Sequence, residues 1–316
     1  MKYPLSDHYD GKVFHNPTRN PHGLLGVLKW VATGQSKAWP KNLNENATPA
    51  KIVSSVTEGI RTTFINHATV LIQVDGVNFL TDPIWSERCS PFSFAGPKRY
   101  RRPGIAYADL PPIHCVLVSH NHYDHFDWQT LKNLIRDHDP YFVFGLGLES
   151  LAKKLAIRKA VFLDWWEKTE EMKFPITFVP AQHFSGRGLF DRERSLWGGF
   201  VLSTSQGPIF FAGDTGYGPH FKEIAKRLGA PVLSLIPIGA YEPRWFMEPV
   251  HLNPSDAVQA HLDLQSKQSM AIHFGTFKLS DEGIDDPSND LWEALKKSGV
   301  NSKDFWVPSF GEARQI

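Results

Sequence analysis

Cys115-Val-Leu-Val-Ser-His-Asn-His-Tyr-Asp-His125 joins an apolar run directly to a cluster of side chains that can bind metal ions. The short apolar run predicts a buried strand. The cluster that follows it consists of His120, His122, Asp124 and His125. A helix could not aim His120 and His122 at one point, because residues two apart on a helix do not face each other. A loop at the end of a strand can do so, and the spacing therefore predicts a binuclear metal site at the edge of a sheet.

Length and composition indicate a globular protein. The chain has 316 residues, which is enough for one large domain or two ordinary ones. Hydrophobic residues make up 41% and charged residues 21% of the chain, so a sizeable core is expected. The formal net charge of +1 gives no general argument for nucleic-acid binding, and we expect no nucleic-acid partner.

The sequence carries little that would direct it to a membrane or to an oxidising compartment. Its two cysteines, Cys89 and Cys115, form no CxxC pair and no disulfide framework, which suits a reducing compartment. Residues 1–8 lack the apolar core of a signal peptide. No apolar run approaches the roughly 18 residues that span a bilayer. We therefore expect a cytoplasmic protein that is at most peripheral to a membrane.

The chain divides by composition into a leader, residues 1–58, and a main domain, residues 59–316. The leader is rich in Pro, Asn and Lys, and its apolar patch at 24–30 predicts one short helix packed on the main domain. The main domain alternates short strands with helical patterns, which is typical of a layered α/β architecture. Asp75-Gly76 predicts a hairpin turn, and 83–112 predicts a long functional loop. The predicted strands cover 62–65, 69–75, 77–82, 115–119, 141–144, 160–163, 176–179, 200–203, 209–211 and 232–236, and the predicted helices cover 127–138, 148–156, 219–228, 254–262 and 289–297.

Three further candidate ligands stand where an apolar run gives way to a loop. They are His183, Asp214 and His273. Active-site residues concentrate in loops of this kind. Imidazole and carboxylate ligands without thiolates favour zinc, with iron and manganese as alternatives. Two cations close together repel each other, so a shared anionic ligand is expected, and Asp214 is the candidate for that bridge.

The complete set of ligands resembles a known signature. HxHxDH followed by a later His, Asp and His is similar to the pattern of the metallo-β-lactamase superfamily. Longer strings, spread over nearly the whole chain, resemble the family of N-acylphosphatidylethanolamine-hydrolysing phospholipase D. These strings are Leu80-Thr-Asp-Pro-Ile84, Gly96-Pro-Lys-Arg-Tyr-Arg-Arg102, Ser119-His-Asn-His-Tyr-Asp-His125, Leu163-Asp-Trp-Trp-Glu167, Phe211-Ala-Gly-Asp-Thr-Gly-Tyr217, Ile236-Pro-Ile-Gly-Ala-Tyr-Glu-Pro-Arg-Trp-Phe-Met247 and Ser269-Met-Ala-Ile-His-Phe-Gly-Thr-Phe277. They are far more specific than the metal motif alone.

The resemblance implies a single-domain, four-layer αββα sandwich of the α/β class, with two zinc ions per chain at one edge. It also implies two ligand sets bridged by Asp214, with His120, His122 and His183 holding one zinc and Asp124, His125 and His273 holding the other. A homodimer and a hydrophobic groove for acyl chains are further implications.

The resemblance suggests roles for residues around the ligands. Asp82 resembles a carboxylate that orients a ligand imidazole, and it is equally well explained as a turn residue. His67 is expected to be structural rather than catalytic. The candidate catalytic residues are Asp124, which could accept a hydrogen bond from the attacking water, and His251, which could protonate the leaving alkoxide. His251 is equally well explained as an exposed histidine of a loop. The candidate substrate-binding residues are Tyr123 and His251.

The sequence leaves open whether the protein contacts a membrane surface. The run Lys98-Arg-Tyr-Arg-Arg102 is either a solvated loop or a patch that meets phospholipid headgroups. Trp165-Trp166 and Trp245-Phe-Met247 either belong to the core or line an acyl groove.

The favoured function is that of a zinc-dependent phosphodiesterase of phospholipase D type, which hydrolyses N-acylphosphatidylethanolamine-like lipids to N-acylethanolamine and phosphatidic acid. The alternative is a lactonase or another metal-dependent hydrolase on the same ligands. A nuclease is disfavoured by the near-neutral net charge, and a β-lactamase by the Cys that its best-known subclass carries at the position of Asp214. A scaffold without activity is disfavoured because all seven ligands are present.

Overall fold

Two seven-stranded sheets form the centre of the molecule. The computed structural model describes residues 3–18, 23–40, 51–188 and 190–316. The first sheet contains β1 (Ile60–Asn66), β2 (Thr69–Val74), β3 (Val77–Thr81), β4 (Cys115–Val118), β5 (Tyr141–Gly145), β6 (Ala160–Leu163) and β14 (Ala313–Gln315), in the spatial order β14-β1-β2-β3-β4-β5-β6. Strands β1 to β3 pair antiparallel, and β3 to β6 pair parallel. Asp75 and Gly76 both have positive φ, 53° and 80°, as a tight hairpin between β2 and β3 requires.

The second sheet repeats this plan. It contains β7 (Lys168–Thr169), β8 (Ile176–Val179), β9 (Gly199–Thr204), β10 (Gly207–Phe211), β11 (Leu233–Pro237), β12 (Ser269–Ile272) and β13 (Phe305–Trp306), in the order β13-β12-β11-β10-β9-β8-β7. Strands β7 to β10 pair antiparallel, and β10 to β13 pair parallel. Each sheet therefore has a parallel half whose strands end at a common edge.

Seven α-helices lie outside the two sheets in the described part of the chain. They are α1 (Leu24–Thr33), α2 (Trp128–Asp137), α3 (Glu149–Lys154), α4 (His220–Leu228), α5 (Arg244–Met247), α6 (Pro254–Leu264) and α7 (Asp286–Ser298), with a 3₁₀ helix at Tyr107–Asp109. Leu131 of α2 packs in one cluster with Val116 of β4, and Leu291 of α7 in another with Leu235 of β11. The predicted four-layer αββα sandwich is confirmed.

The apolar run at β4 is continuous because both of its faces are buried. Cys115 and Leu117 belong to the core between the two sheets, whereas Val116 and Val118 belong to the cluster beneath α2 and α3. Alternate residues of a strand point to opposite faces, so a strand between two layers needs apolar residues at every position.

Every predicted strand and helix corresponds to an element of the structure, with shifts of a few residues at the ends. The loop predicted at 83–112 is irregular apart from Tyr107–Asp109. The predicted strands and helices do not include β7, β12, β13, β14 and α5, although the apolar run before His273 indicated β12. These elements have two to four residues, too few for a periodic pattern, and tertiary pairing defines them.

The described residues before 59 contact the sandwich at several places. Phe14 is buried, and its N–H donates to the carbonyl of Glu193 at 2.8 Å. Trp39 donates its indole N–H to the carbonyl of Glu282 at 2.9 Å. Residues 1, 2, 19–22 and 41–50 of the predicted leader lie outside the described residues. None of the helices in the described part of the chain has the length and apolarity that a membrane crossing requires.

Candidate metal centre

Seven side chains predicted as metal ligands meet at one edge of the sandwich. The loop after β4 supplies four of them and the loops after β8, β10 and β12 supply one each: His120, His122, Asp124 and His125, then His183, Asp214 and His273. All of them are buried except the half-buried His122. The structure brings the complete set together because parallel strands end at the same edge.

Gly213 allows the two sheets to approach each other at this edge. Its φ is +61°, and a Cβ atom there would lie 2.6 Å from Cβ of Ser119. The loop after β10 therefore passes directly against the loop after β4. A larger side chain at this position would push Asp214 away from the imidazoles of the first sheet.

One set of ligand atoms comes from Asp124, His125 and His273. Nε2 of His125 lies 3.2 Å from Oδ2 of Asp124 and 3.2 Å from Oδ2 of Asp214. Nε2 of His273 lies 3.4 Å and 3.2 Å from the same two oxygen atoms. Two imidazole nitrogens and two carboxylate oxygens therefore face one small volume.

A second set comes from His120, His122 and His183. Nδ1 of His122 lies 2.8 Å from Nε2 of His120 and 3.2 Å from Nε2 of His183. Burial lowers the pKa of His120 and of His183 well below the ordinary range. Both imidazoles are therefore neutral near pH 7, the form that coordinates cations.

Asp214 lies between the two sets. Its Oδ2 atom is 3.2 Å from Nε2 of both His125 and His273, and 3.8 Å from Nε2 of His183. Burial alone would raise the pKa of this carboxyl, but its electrostatic interactions with the rings of His125 and His273 hold the pKa well below the ordinary range. An ionised carboxylate thus faces both groups of imidazoles.

Hydrogen bonds on the outer side of the site orient three of the imidazoles. Nδ1 of His125 lies 2.6 Å from Oδ2 of Asp82, Nδ1 of His120 lies 2.9 Å from Oγ of Ser119, and Nδ1 of His183 lies 2.9 Å from the carbonyl of Val250. Each contact leaves Nε2 pointing into the site. Outer hydrogen bonds of this kind are usual for histidines that bind metal ions.

The residues present fit divalent cations. Nε2 of His125, Oδ1 of Asp214 and Nε2 of His273 are buried and have no hydrogen-bond partner. Unpartnered buried polar atoms are costly, and a cation would satisfy all of them at once. Burial raises the pKa of both cysteine thiols, Cys89 and Cys115, so neither offers a thiolate. The donors at the site are therefore nitrogen and oxygen atoms, and this set suits zinc. The described residues thus include a cluster with the donor atoms and the spacing that metal ions require.

His67 belongs to this site, although the sequence suggested only a structural role. Its Nε2 lies 2.9 Å from Oδ2 of Asp124, and its ring centroid lies 4.0 Å from that of His273. Burial lowers the pKa of His67 to about 3, so the ring is neutral near pH 7. Because β1 and β3 run in the same direction, the loop after β1 reaches the same edge as the loop after β3. That direction is the signal that could have found His67.

Asp82 makes three close contacts beneath the loop that carries the first ligands. Besides His125, it accepts hydrogen bonds from the N–H of Ser119 at 2.7 Å and from the hydroxyl of Ser119 at 2.5 Å. Its φ is +31°, so it also occupies a turn. The two interpretations of Asp82 that the sequence left open are compatible with each other.

Tyr123 is held against Arg187. Its hydroxyl donates to the carbonyl of Arg187 at 2.8 Å, and the guanidinium lies 3.9 Å from the centroid of its ring. Nη1 of Arg187 donates to the carbonyls of Asn121 and Phe126, at 2.8 Å and 2.9 Å. The ligand loop is thus tied at both ends to the loop that carries His183.

An apolar groove of about 570 Å³ lies beside the metal centre and includes His251 in its wall. Three segments supply most of its lining: Val27 and Trp30 of α1, Phe184 of the loop after His183, and Phe246 and Met247 in α5. Nδ1 of His251 lies 4.0 Å from Oδ2 of Asp214. The wall of the groove at His251 therefore lies next to the cluster of ligands.

The other sequence candidates for lipid contact occupy different environments. Arg99 is buried and donates to the carbonyls of Ile84 and Ser86. Trp165 is buried and donates to the carbonyl of Trp197 at 2.7 Å. Of the run Trp245-Phe-Met247, the last two residues line the groove.

Comparison with known proteins agrees with this geometry. Residues 77–274 match the family model described as a beta-lactamase superfamily domain. The N-acyl-phosphatidylethanolamine-hydrolyzing phospholipase D 1 of Caenorhabditis elegans is 36% identical over 96% of this chain and 92% of that protein. The chain belongs to this phospholipase D family, within the beta-lactamase superfamily. The mitochondrial protein of the same description from Saccharomyces cerevisiae is 31% identical over 94% of this chain and 65% of its own length.

Solved structures show the same fold. The metallo hydrolase Igni18 of Ignicoccus hospitalis superposes with a TM-score of 0.62 at 18% identity, over 82% of this chain and 99% of that chain. An isothiocyanate hydrolase from Delia radicum gut bacteria gives 0.63 at 20% identity, over 81% and 99%. Together with the family model and the relative from Caenorhabditis elegans, which carry the assignment, this confirms the prediction of a hydrolase of the metallo-β-lactamase superfamily.

Proposed function

We propose that this chain is a zinc-dependent phosphodiesterase of phospholipase D type, which cleaves N-acylphosphatidylethanolamine-like lipids to N-acylethanolamine and phosphatidic acid. The observation that carries the proposal is the apolar groove whose wall includes His251, which lies 4.0 Å from Asp214 of the ligand cluster. The relatives from Caenorhabditis elegans and Saccharomyces cerevisiae are named for hydrolysis of this lipid.

The two ligand sets would hold two zinc ions per chain, with Asp214 shared between them. His120, His122 and His183 would hold one ion, and Asp124, His125 and His273 the other. When bound, the ions supply an activated water as the nucleophile and offset the charge of the phosphoryl oxygens.

The residues around the ligands keep this arrangement in place. His67 lies within hydrogen-bond distance of Oδ2 of Asp124 and would leave Oδ1 free to orient the attacking water. Asp82 holds the ring of His125 and the start of the ligand loop. We assign both as positioning residues and Asp124 as the catalytic carboxylate.

His251 would contact the substrate where the groove meets the ligands. Burial lowers its pKa to about 4, so its imidazole is neutral near pH 7 and would act as a hydrogen-bond donor to the departing oxygen. Tyr123, which is half-buried beside Arg187, would limit the space available to the headgroup.

Further parts of the proposal concern organisation. We propose a leader at 1–58 packed on a catalytic domain at 59–316, a homodimer, and a cytoplasmic location with peripheral membrane contact and no nucleic-acid partner. Sedimentation velocity of the full chain would test the dimer. A single species at the monomer mass would refute it.

The proposed reaction is tested with a panel of substrates and with control of the metal. The zinc-loaded protein should release N-acylethanolamine and phosphatidic acid, lose this activity in EDTA and regain it when zinc is restored. Metal analysis should give two ions per chain. Loaded protein that is inactive on these lipids at several acyl lengths would contradict the proposal, and turnover of a lactone in the same panel would identify the alternative hydrolase.

A further inference from the structure

Asn16, in the leader, binds the backbone of the candidate ligand His183 from 167 positions away in the chain. Its Oδ1 atom accepts a hydrogen bond from the N–H of His183 at 2.9 Å, and its Nδ2 atom donates to the carbonyl of His183 at 2.7 Å. His183 is buried, and an unpaired backbone N–H or C=O in a buried segment is costly. One side-chain amide therefore supplies both partners that the backbone of the ligand needs.

The segment that carries His183 is fixed on its other edge by the loop after β10. Gln182 and Gly216 form an isolated antiparallel bridge, in which the N–H of Gly216 donates to the carbonyl of Gln182 at 2.7 Å. The N–H of Gln182 donates to Oγ1 of Thr215 at 2.9 Å. Backbone groups of consecutive residues in an extended chain point to opposite sides. Gln182 therefore faces the loop that carries Asp214, whereas His183 faces the leader.

Neighbouring residues hold Asn16 in this position. The indole N–H of Trp197, a buried side chain, donates to Oδ1 of Asn16 at 3.0 Å. The side-chain amide of Gln182 accepts from the N–H of Thr18 and donates to its carbonyl, both at 3.1 Å. Reversing the amide of Asn16 or of Gln182 would bring donor against donor, so the partners fix both orientations. The leader and the ligand segment thus hold each other by four hydrogen bonds.

Among the ligands of its set, His183 depends most on such support. His120 and His122 belong to one loop, after β4, whereas His183 follows β8 in the second sheet. The local chain limits the separation of His120 and His122, but nothing local limits their distance from His183. Nε2 of His183 lies 3.2 Å from Nδ1 of His122. A shift of the backbone at His183 would therefore open this set and leave the other ligand set in place.

We propose that Asn16 is a positioning residue of the metal centre, which acts through the backbone of His183 to keep this imidazole where it can share a cation with His120 and His122. The leader is thus a part of the metal centre and not only a covering segment. This inference rests on the proposed function for the identity of the ion. Asn16 does not line the groove, so its effect is on zinc binding and not on contact with the substrate.

The test measures the zinc affinity of the full chain by competition with a chromophoric chelator, which needs no substrate. Asn16→Leu keeps the approximate size of the side chain but removes its donor and its acceptor. We expect one of the two ions to be bound roughly tenfold more weakly and the other as in the wild type. Asn16→Ala should show the same selective loss, and it serves as the test if Asn16→Leu does not fold by circular dichroism.

A double-mutant cycle with His183→Ala separates positioning from general stability. Because His183→Ala already removes the imidazole that Asn16 positions, adding Asn16→Leu should weaken zinc binding no further. A residue that only stabilises the fold would weaken binding by the same factor with and without His183.

Asn78 provides the matched control. Its Nδ2 atom donates to the carbonyl of Ser54, also in the leader, and to that of Pro112, both at 2.7 Å. Asn78 thus joins the leader to the main domain through a side-chain amide, but it binds no backbone group of a ligand. Asn78→Leu and Asn78→Ala should bind both ions with wild-type affinity, even where they lower Tm.

Three results would overturn the role of Asn16. They are wild-type affinity for both ions in the Asn16 variants, an equal loss in the Asn78 variants, and a further loss when Asn16→Leu is added to His183→Ala. A different result would bear on the reaction alone. If the wild type binds two zinc ions and Asn16→Leu weakens one of them, but neither turns over N-acylphosphatidylethanolamine, the phosphodiesterase proposal is refuted and the role of Asn16 stands.

Discussion

The metal centre and the apolar groove lie side by side but are built in opposite ways. In the centre, His120, His125 and His183 are buried, and the Nδ1 atom of each is held by a hydrogen bond on its outer side. In the groove, α1 starts at Gly23 without a side-chain cap and presents exposed apolar residues. Coordination of a cation requires fixed directions, whereas contact with acyl chains requires only apolar area. The metal ligands are therefore held in fixed directions by hydrogen bonds, whereas the wall of the groove depends only on apolar area.

Removing the carboxylate of Asp214 is expected to reduce turnover more than any substitution in the groove. Asp214→Asn should lower turnover by about 1000-fold or more, because the ionised oxygen that faces both ligand sets is lost. Metal content, measured by mass spectrometry of the dialysed protein, should fall as well. The far-ultraviolet circular dichroism spectrum should not change. Asp137→Asn, at an exposed carboxylate of α2, serves as the control, and equal turnover in both variants would refute the shared role.

Changing a residue that only orients a ligand should have a smaller effect. In Asp82→Asn, an NH2 donor replaces one carboxylate oxygen, so at least one of the three contacts with Ser119 and His125 must be given up. We expect zinc affinity to fall by about 10- to 100-fold. Competition with a chromophoric chelator measures this directly, without a substrate. If the variant binds zinc with wild-type affinity, Asp82 is required for the turn and not for the orientation of the His125 imidazole.

The link that Arg187 makes between the loop after β4 and the loop after β8 should contribute less to zinc affinity than Asp82 does. Arg187→Lys cannot donate to the carbonyls of Asn121 and Phe126 while also stacking on Tyr123, because an ammonium lacks the planar fork. Zinc affinity should fall by roughly tenfold. Arg194→Lys, at an exposed arginine of the same loop, should leave it unchanged. Equal affinities in the two variants would show that the loops hold their positions without this link.

Substitution in the groove should leave the chemistry nearly intact. Trp30 stacks on Phe246 and donates to Asp281 at 3.1 Å, so Trp30→Ala should loosen the wall without touching a ligand. We expect KM for a long-chain lipid to rise several-fold, by the loss of about 1 kcal/mol of apolar contact, with kcat nearly unchanged. Steady-state kinetics with long- and short-chain substrates would show the effect only for the long chain. A fall in kcat for both the long-chain and the short-chain substrate would show that the wall of the groove also positions the metal ligands.

Local sequence patterns were sufficient for most of the sandwich. The strand at Cys115–Val118 and the ligand loop after it are adjacent in the chain, so spacing alone predicts both. His183, Asp214 and His273 could be found because each follows a strand, and strand ends meet at one edge. The short strands at the sheet edges could not be found, since their hydrogen bonds depend on distant partners.

The residues that support the site were harder to predict. His67 contacts Asp124 across 57 positions of the chain, and Arg187 contacts Asn121 across 66. An isolated histidine or arginine has many ordinary uses, so only the position of His67 after a strand distinguishes it, and nothing comparable marks Arg187. Their roles depend on which loops the two sheets bring together.

The sequence by itself determined the chemistry of this protein, because the identity and spacing of His120, His122, Asp124 and His125 are local properties of one loop. Tertiary structure decided how that chemistry is held and what can reach it. Asp214 comes between the two ligand sets only because Gly213 lets the second sheet pass against Ser119. The groove exists only because α1, far away in the chain, packs beside His251. Contacts of this kind follow from the packing of whole layers, which no local pattern encodes.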